Sequence, residues 1–221
     1  MTELEKKQSG RIYDTRDPEL RKLQNRAKDL MRQYNVLPAG DTKERNRLLE
    51  ELFGTFGRNV RVNQPIYVDY GSNIHLADNS FINMNCTLLD TAPIFIGECA
   101  MIGPDVKIYT AVHALDGAER FWHGPDGAAA VKTQAKPVRI GRYAWIGGGS
   151  IILPGVSIGE NAVIGAGSVV TQSIPDNAVA CGNPCRIIKW NAPLTQEKKT
   201  EENAMRIHDE KVSDEVYGGL E

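Results

Sequence analysis

Aliphatic residues return at every sixth position over much of the chain. A period of six matches neither the 3.6-residue turn of a helix nor the two-residue alternation of a simple strand. It fits a chain that turns a corner every six residues and places one aliphatic side chain inside at each turn. The positions are Leu76, Ile82, Leu88, Ile96, Ile102, Ile108, Ile140, Ile146, Ile152, Ile158, Ile164 and Val170.

Three such hexads close one triangular coil, so residues 61–190 are predicted to form a solenoid of coils stacked through parallel strands. Each buried isoleucine contributes roughly 1.5–3 kcal/mol, and a single coil would leave its inner side chains uncovered. The rhythm slips by two residues between Leu88 and Ile96 and stops over residues 109–138. The glycines and prolines of this second interruption predict a long loop, which is a common location for function.

The segments before and after the solenoid follow other patterns. Residues 1–60 predict helices, one opening at Asp17 and Pro18 and a second at Asp41, with Glu44 completing a capping box. Residues 191–221 are highly charged and have only a thin apolar face. They predict a charged and helical C-terminal tail.

Charge and composition exclude some classes of function. The 221 residues carry 26 Lys and Arg against 28 Asp and Glu, a net charge of −2. A dedicated nucleic-acid-binding protein would need a basic face, so we expect no nucleic-acid partner. No apolar run approaches the ~20 residues of a membrane-spanning helix, and the charged N-terminus lacks the apolar core of a secretory signal. We therefore expect no membrane partner.

The cysteines favour a cytoplasmic protein. There are four, namely Cys86, Cys99, Cys181 and Cys185, and they form no C-x-x-C pair. Reduced thiols are the expectation for such a pattern. Cys181 and Cys185 lack a second pair of candidate ligands, so we expect no metal.

One histidine stands out as a candidate for catalysis. The chain has four, and His113 lies at the start of the predicted loop. An imidazole whose pKa is near ~6.5 can accept a proton at neutral pH, which suits it to general-base catalysis. His123, beside Trp122, favours a plain loop role, and His75 a structural role. His208 lies in the tail.

Several segments together resemble the maltose/galactoside O-acetyltransferase family, which is part of the hexapeptide-repeat acyltransferases. Hexads alone indicate only the fold, which some zinc carbonic anhydrases share. The N-terminal segment and the stretch that contains His113 are more specific. The segments are GRIYDTRDPELRKLQNRAKDLMRQYN (10–35), YGSNIHLADNSFINMNC (70–86), IYTAVHALD (108–116), WIGGGSIILPGVSIGENAVIGAGSVVT (145–171) and GNPCRIIK (182–189).

The resemblance implies a mainly β protein, built as a left-handed parallel β-helix with a helical N-terminal segment. It also implies homotrimers with active sites in the clefts between subunits. The reaction would transfer acetyl from acetyl-CoA to a hydroxyl of a sugar or related polyol. His113 would act as general base in a direct transfer, without an acyl-enzyme intermediate.

The resemblance also assigns binding residues. Asn83 additionally suits a left-handed corner of a coil. The Gly148 amide would hold the developing oxyanion, and Arg186 and Lys189 would meet the phosphates. The acceptor set is Asp14, Asp69, Asn83, Asp90 and Thr133, and the acetyl-CoA set is Gly103, Trp145, Gly148, Ala166, Thr171, Gln172, Arg186 and Lys189.

Departures from the family pattern concern mainly the acceptor side. Residues 114–137 form a longer loop than is usual, Ala114 follows the histidine where proline is common, and Thr91 replaces an aspartate found in some members. Gln172 stands where the family often has lysine. Three alternatives remain open, namely N-acetylation of an amino sugar, amino acid or xenobiotic amine, zinc-dependent hydration, and a non-catalytic scaffold.

Overall fold

The computed structural model describes residues 1–123 and 127–194. Met1–Asn191 form one compact unit. The tail predicted for residues 191–221 lies, from residue 195 onward, outside the described residues. Among the helices described, none is long and apolar enough to cross a membrane.

Three helices precede the solenoid, and the predicted helix starts are confirmed. The Asp17 carboxylate accepts hydrogen bonds from the N–H groups of Glu19 and Leu20, and Pro18 is the first helical residue. The Asp41 carboxylate accepts from the Glu44 N–H. Each side chain satisfies N–H groups that the first helical turn leaves unpaired. The helices are α1 (Glu3–Gln8), α2 (Pro18–Val36) and α3 (Thr42–Leu52).

Helices α2 and α3 cover the open end of the solenoid. The Tyr34 hydroxyl donates to the Val62 carbonyl at 2.6 Å, and Asn35 forms two hydrogen bonds with the backbone of Ile66. Tyr34 is completely buried. These contacts satisfy polar groups of the first coil that no preceding coil can reach.

The strands, numbered β1–β21 in chain order, form three parallel faces and one small antiparallel sheet. The first face contains β2 (Thr55–Phe56), β5 (Ile74–Leu76), β8 (Ile94–Ile96), β14 (Val138–Ile140) and β17 (Ser157–Ile158). The second contains β3 (Arg61–Val62), β6 (Phe81–Ile82), β9 (Met101–Ile102), β15 (Trp145–Ile146), β18 (Val163–Ile164), β20 (Ala178–Cys181) and, antiparallel at its end, β21 (Arg186–Trp190). The third contains β4 (Ile66–Val68), β7 (Cys86–Leu89), β10 (Lys107–Tyr109), β16 (Ile151–Ile152) and β19 (Val169–Val170).

The hexad prediction is confirmed by the register of these faces. Ile146 pairs with Ile102 on one side and Ile164 on the other, so the aliphatic residues stack in columns inside the prism. All three are fully buried. The columns form one continuous core, which explains why the period of six persists along the chain.

The long interruption is more regular than its composition predicts. It contains β11 (Ala111–Val112), β12 (Phe121–His123) and β13 (Ala129–Ala135), and β13 also pairs with β1 (Tyr13–Asp14) of the N-terminal segment. These strands pair with each other and not with a coil, so the period of six disappears although β structure continues.

Candidate active site

Two edges of the prism carry the predicted site residues. We call the edge where the second face turns into the third the glycine edge, because it contains residues 103, 147–148 and 165–166. We call the edge where the third face turns into the first the loop edge. It contains residues 69, 90, 110 and 171, and residues 111–137 leave from it. One whole face separates the two edges.

His113 directly follows β11 on the loop edge and is exposed. Its Nδ1 lies 3.1 Å from the main-chain oxygen of Lys132 in β13. A carbonyl oxygen can only accept a hydrogen bond, so Nδ1 carries the proton. In the neutral imidazole, Nε2 then keeps its lone pair. The geometry therefore leaves Nε2 as the atom that can accept a proton.

A pocket of about 350 Å³ opens beside His113. Opposite charges line it, from Glu119 and Lys132. The Lys132 ammonium also lies 5.2 Å from the ring centre of Trp122. This contact connects the pocket to the exposed strand β12, which pairs with β13. The other lining residues are Ile12, Val112, Ala114 and Gln134.

Two predicted acceptor residues, Asp14 and Thr133, lie next to this pocket on β1 and β13. In the pairing of these strands, Asp14 is opposite Lys132 and Tyr13 is opposite Thr133. Thr133 is buried. Asp14 is about a third exposed and forms an ion pair with Arg16 at 2.9 Å, and hydrogen bonds from Arg16 hold the pKa of Asp14 below its usual value.

Asp69 and Asp90 lie one coil apart on the loop edge. Asp69 accepts hydrogen bonds from the Gln24 amide at 2.9 Å and the Thr91 hydroxyl at 3.2 Å. Asp90 is fully buried and accepts from the N–H groups of Asp69, Tyr70 and Asn73 at 2.8–3.2 Å. Burial raises the pKa of Asp90, while the backbone hydrogen bonds oppose that rise. Asp90 thus shapes the turn that presents Asp69.

Asn83 lies on the other edge, one coil below Gly103. Its side-chain oxygen accepts from the Asn63 amide at 3.2 Å and from the Met84 N–H at 2.8 Å. The left-handed residue of this corner is Asn85, with φ 61°, and not Asn83. The structure therefore groups Asn83 with the glycine edge and the other four acceptor candidates with His113.

The glycine edge presents two outward backbone donors in successive coils. Gly147 and Gly149 donate their N–H groups to carbonyls of neighbouring coils, and so do Gly165 and Gly167. Between them, the N–H groups of Gly148 and Ala166 have no acceptor within the described part of the chain. Both residues are at least partly exposed. Two N–H groups along a groove can hold the carbonyl oxygens of a ligand.

Glycine is required on this edge because successive coils approach closely. A Cβ on Gly103 would lie 2.6 Å from the Gly148 nitrogen, and one on Gly147 would lie 2.5 Å from the Ala166 nitrogen. The side chain of Trp145, half exposed, stands beside them on the second face. Glycine at positions 103 and 147 therefore permits the close stacking of these coils.

The remaining acetyl-CoA candidates lie in two places. Arg186 and Lys189 are exposed on β21, opposite Cys181 and Val179 of the second face. Thr171 and Gln172 are exposed on the loop edge and do not join the glycine-edge group. No group of three or more metal-ligating side chains occurs in residues 1–123 and 127–194.

A buried polar cluster below the loop edge is not indicated by the sequence. Lys7 is only 6% exposed, and its ammonium lies 4.0 Å from the ring centre of Tyr70. Desolvation lowers the pKa of Lys7, and the charges of Asp90 and Asp69 oppose that change. Because Lys7 lies among other charged residues of α1, the sequence alone suggests a side chain exposed to solvent.

Family models match the two parts of the chain that the sequence analysis separates. The maltose acetyltransferase hexapeptide capping motif matches residues 6–57, and six repeats of the bacterial transferase hexapeptide match residues 137–172. A maltose O-acetyltransferase from Clostridium difficile 630 is 45% identical, with a TM-score of 0.81 over 87% of this chain and 99% of that one. The chain belongs to the maltose/galactoside O-acetyltransferase family.

Two further relatives agree with this membership. The galactoside O-acetyltransferase of Escherichia coli K12 is 36% identical over 84% of this chain and 87% of its own length. A hexapeptide-repeat acetyltransferase of Vibrio cholerae, complexed with acetyl coenzyme A, is 37% identical with a TM-score of 0.77 over 87% of this chain and 100% of that one. The protein is thus an acetyltransferase, and its solenoid has the family's left-handed parallel β-helix fold.

Proposed function

We propose that this acetyltransferase moves an acetyl group from acetyl-CoA to a hydroxyl of a sugar or related polyol, with His113 as general base. The hydrogen bond from Nδ1 of His113 to the Lys132 carbonyl carries the proposal, because it leaves Nε2 free to accept a proton. The names of the relatives from Clostridium difficile and Escherichia coli support an acceptor of the maltose or galactoside class.

The reaction is a direct transfer. His113 Nε2 takes the proton of the acceptor hydroxyl while the hydroxyl oxygen forms a bond to the acetyl carbon. The outward N–H of Gly148 stabilises the negative charge that develops on the carbonyl oxygen. The carbon–sulfur bond then breaks, and the imidazolium returns its proton to the departing thiolate.

The donor lies along the glycine edge in this proposal. The Ala166 N–H, one coil above Gly148, is available to an amide carbonyl of the pantetheine arm, and Trp145 forms a wall of the groove. Arg186 and Lys189 supply positive charge for the phosphates. The acceptor is held by Asp14, Asp69, Asn83 and Thr133, and Asp90 supports Asp69.

The active unit is a homotrimer in this proposal, because a full prism face separates the two sets of groups. If the third faces of three subunits surround a common axis, the loop edge of each lies beside the glycine edge of the next. His113 and Asp69 then come from one subunit, and Gly148 and Asn83 from its neighbour. Thr171 and Gln172, which lie on the loop edge, then face the neighbour's donor groove. Exposed apolar side chains beside the glycine edge support a covered surface there, namely Met84, Met101 and Trp145.

A thiol-release assay tests the proposal. The purified full chain would be given acetyl-CoA with a panel of galactosides, maltose, amino sugars and simple amines, and the product bond would be identified by mass spectrometry and NMR. We expect O-acetyl esters, and His113→Ala should lower turnover about 10²–10⁴-fold. Exclusive amide formation would establish the N-acetyltransferase alternative, and wild-type turnover in a folded His113→Ala trimer would refute the general base.

A further inference from the structure

We infer that the N-terminal strand β1 fixes the orientation of His113, and that Tyr13 is the positioning residue that anchors this strand. The inference rests on the proposed function, because it takes His113 to be the base. It assigns a catalytic task to the segment before α2. The argument follows the contacts from His113 back to the solenoid.

Strand β13 is held on two opposite edges. On one edge, Lys132 donates its N–H to the Arg120 carbonyl at 2.8 Å, and its own carbonyl accepts from His113. On the other edge, Tyr13 of β1 is paired with Thr133. Neighbouring residues of a strand direct their backbone groups to opposite edges, so Lys132 and Thr133 serve different partners. Strand β1 therefore sets the position of the carbonyl that orients His113.

The other strands that pair with β13 belong to its own loop. Strands β11 and β12, with which it pairs, lie within residues 109–138 and would move together with it. Strand β1 comes from outside this loop. It is thus the pairing through which the loop sheet is connected to another part of the chain.

Tyr13 anchors β1 to the solenoid. Its side chain is 2% exposed and packs with Leu20 and Tyr70. The Tyr70 side chain packs against Tyr13, and the Lys7 ammonium lies 4.0 Å from the centre of the Tyr70 ring. Burial raises the pKa of Tyr13 to about 12, so its hydroxyl stays neutral at physiological pH.

The solenoid holds the other end of this contact chain. The Tyr70 N–H donates to the Asp90 carboxylate at 2.8 Å, and Asp90 is fully buried on the loop edge. A second contact restrains β1 directly, since the Asp14 N–H donates to the Glu3 carboxylate at 2.6 Å. A continuous series of packed groups thus leads from the rigid core through Tyr70, Tyr13 and β13 to His113.

The test compares Tyr13→Ala with Tyr13→Phe, which keeps the packed ring and loses only the hydroxyl group. Leu49→Ala is the matched control, because Leu49 is equally buried but lies on α3, away from the loop. We expect Tyr13→Ala to lower kcat about tenfold or more, a part of the general-base contribution, with KM for acetyl-CoA within about twofold. Tyr13→Phe should retain kcat within about threefold, and Leu49→Ala should lower thermal stability while leaving kcat unchanged.

A spectroscopic readout makes the test independent of turnover. Nitrogen-15 spectra of histidine-labelled protein at about pH 8.5, where an ordinary imidazole is neutral, report which ring nitrogen carries the proton. His113, assigned by loss of its signals in His113→Gln, should be protonated at Nδ1 in the wild type and should lose this preference in Tyr13→Ala. An unchanged tautomer in folded Tyr13→Ala, or an equal loss of kcat in Leu49→Ala, would overturn the inference.

The inference and the proposed function can fail separately. A wild-type protein that transfers acetyl to no acceptor refutes the reaction, while the spectra still decide whether Tyr13 orients His113. An active wild type with unchanged kcat and spectra in Tyr13→Ala refutes only the positioning role.

Discussion

Nδ1 of His113 donates a hydrogen bond to the main-chain carbonyl of Lys132 at 3.1 Å. This bond selects one tautomer of the imidazole and needs no particular side chain at position 132. His113→Asn keeps a donor for the carbonyl but removes the base. We expect turnover to fall about 10²–10⁴-fold, while the dissociation constant for acetyl-CoA, measured by calorimetry, stays near the wild-type value. Weakened acetyl-CoA binding with unchanged turnover would contradict this assignment.

The Gly148 amide can be removed at a corner that holds a proline in another coil, although a Cβ at position 148 would lie 3.0 Å from the Pro104 carbonyl oxygen, so that Pro104 must shift slightly. Gly103-Pro104 occupies the same place in one coil that Gly147-Gly148 occupies in another, so this corner accepts proline. Gly148→Pro deletes the outward N–H and should lower kcat about 10²–10³-fold, as loss of an oxyanion donor does. Steady-state kinetics and thermal unfolding would be compared with wild type. Loss of fold in Gly148→Pro would leave the effect unassigned, so Gly148→Ala, which keeps the N–H, provides the second measurement and should retain more activity than Gly148→Pro.

Asp90 makes a clear prediction about stability. An asparagine keeps one oxygen for the N–H groups of Asp69 and Tyr70 but turns an amide donor toward the Asn73 N–H. One buried donor then lacks a partner, which costs about 1–3 kcal/mol. Asp90→Asn should lower the free energy of unfolding by about this amount in urea titrations at neutral pH. An Asp90→Asn protein as stable as wild type would show that the turn does not depend on the carboxylate.

Cysteine chemistry tests the absence of an acyl-enzyme step. Cys86 is fully buried, and burial raises the pKa of its thiol to about 11. Alkylation at pH 8 should therefore leave Cys86 unmodified in the folded protein and modify it only after unfolding, as measured by peptide mass spectrometry. Cys86→Ala and Cys99→Ser should both keep turnover within about threefold. A large loss of turnover in a folded cysteine variant would favour a covalent intermediate.

The sequence predicts the solenoid well because one physical demand repeats. Each hexad must bury one aliphatic residue, so the spacing of residues such as Ile102, Ile146 and Ile164 is enough to predict the coils. The helix starts at Asp17 and Asp41 are equally local, since each cap acts within three residues. The loop sheet could not be predicted in this way, because its strands β1 and β13 are more than a hundred residues apart in the sequence.

The candidate residues of the site come from the sequence and the family resemblance, whereas their arrangement comes only from the structure. His113 and Gly148 follow from the family resemblance. The carbonyl that orients His113 belongs to the backbone, and a backbone acceptor leaves no trace in the residue type at position 132. From the sequence, Lys7 would be expected to be exposed to solvent. In the structure it is buried, with its ammonium against the ring of Tyr70. The separation of the two edges follows from the geometry of the coils. The hexads predict these coils, but they do not show which edges carry the functional residues.

Because a whole face separates the two edges, mixing two inactive variants tests whether each site is shared between two subunits of a trimer. If each site takes His113 from one subunit and Gly148 from the next, co-expression of His113→Asn and Gly148→Pro chains restores some sites. Every mixed trimer has one pair of adjacent subunits in which the intact histidine meets the intact amide. Random assembly at equal amounts therefore gives about one quarter of wild-type sites, against almost none in either parent.

The control for this experiment combines the two parents after separate purification, without subunit exchange. That mixture should show no recovery, because adjacent subunits then carry the same substitution. A tagged pair of chains, purified for both tags, should enrich the mixed trimers and raise the recovered activity to about one third of wild type. If the mixed trimers recover no activity, His113 and the amide of Gly148 in one site must instead come from the same subunit, although one face of the prism separates them.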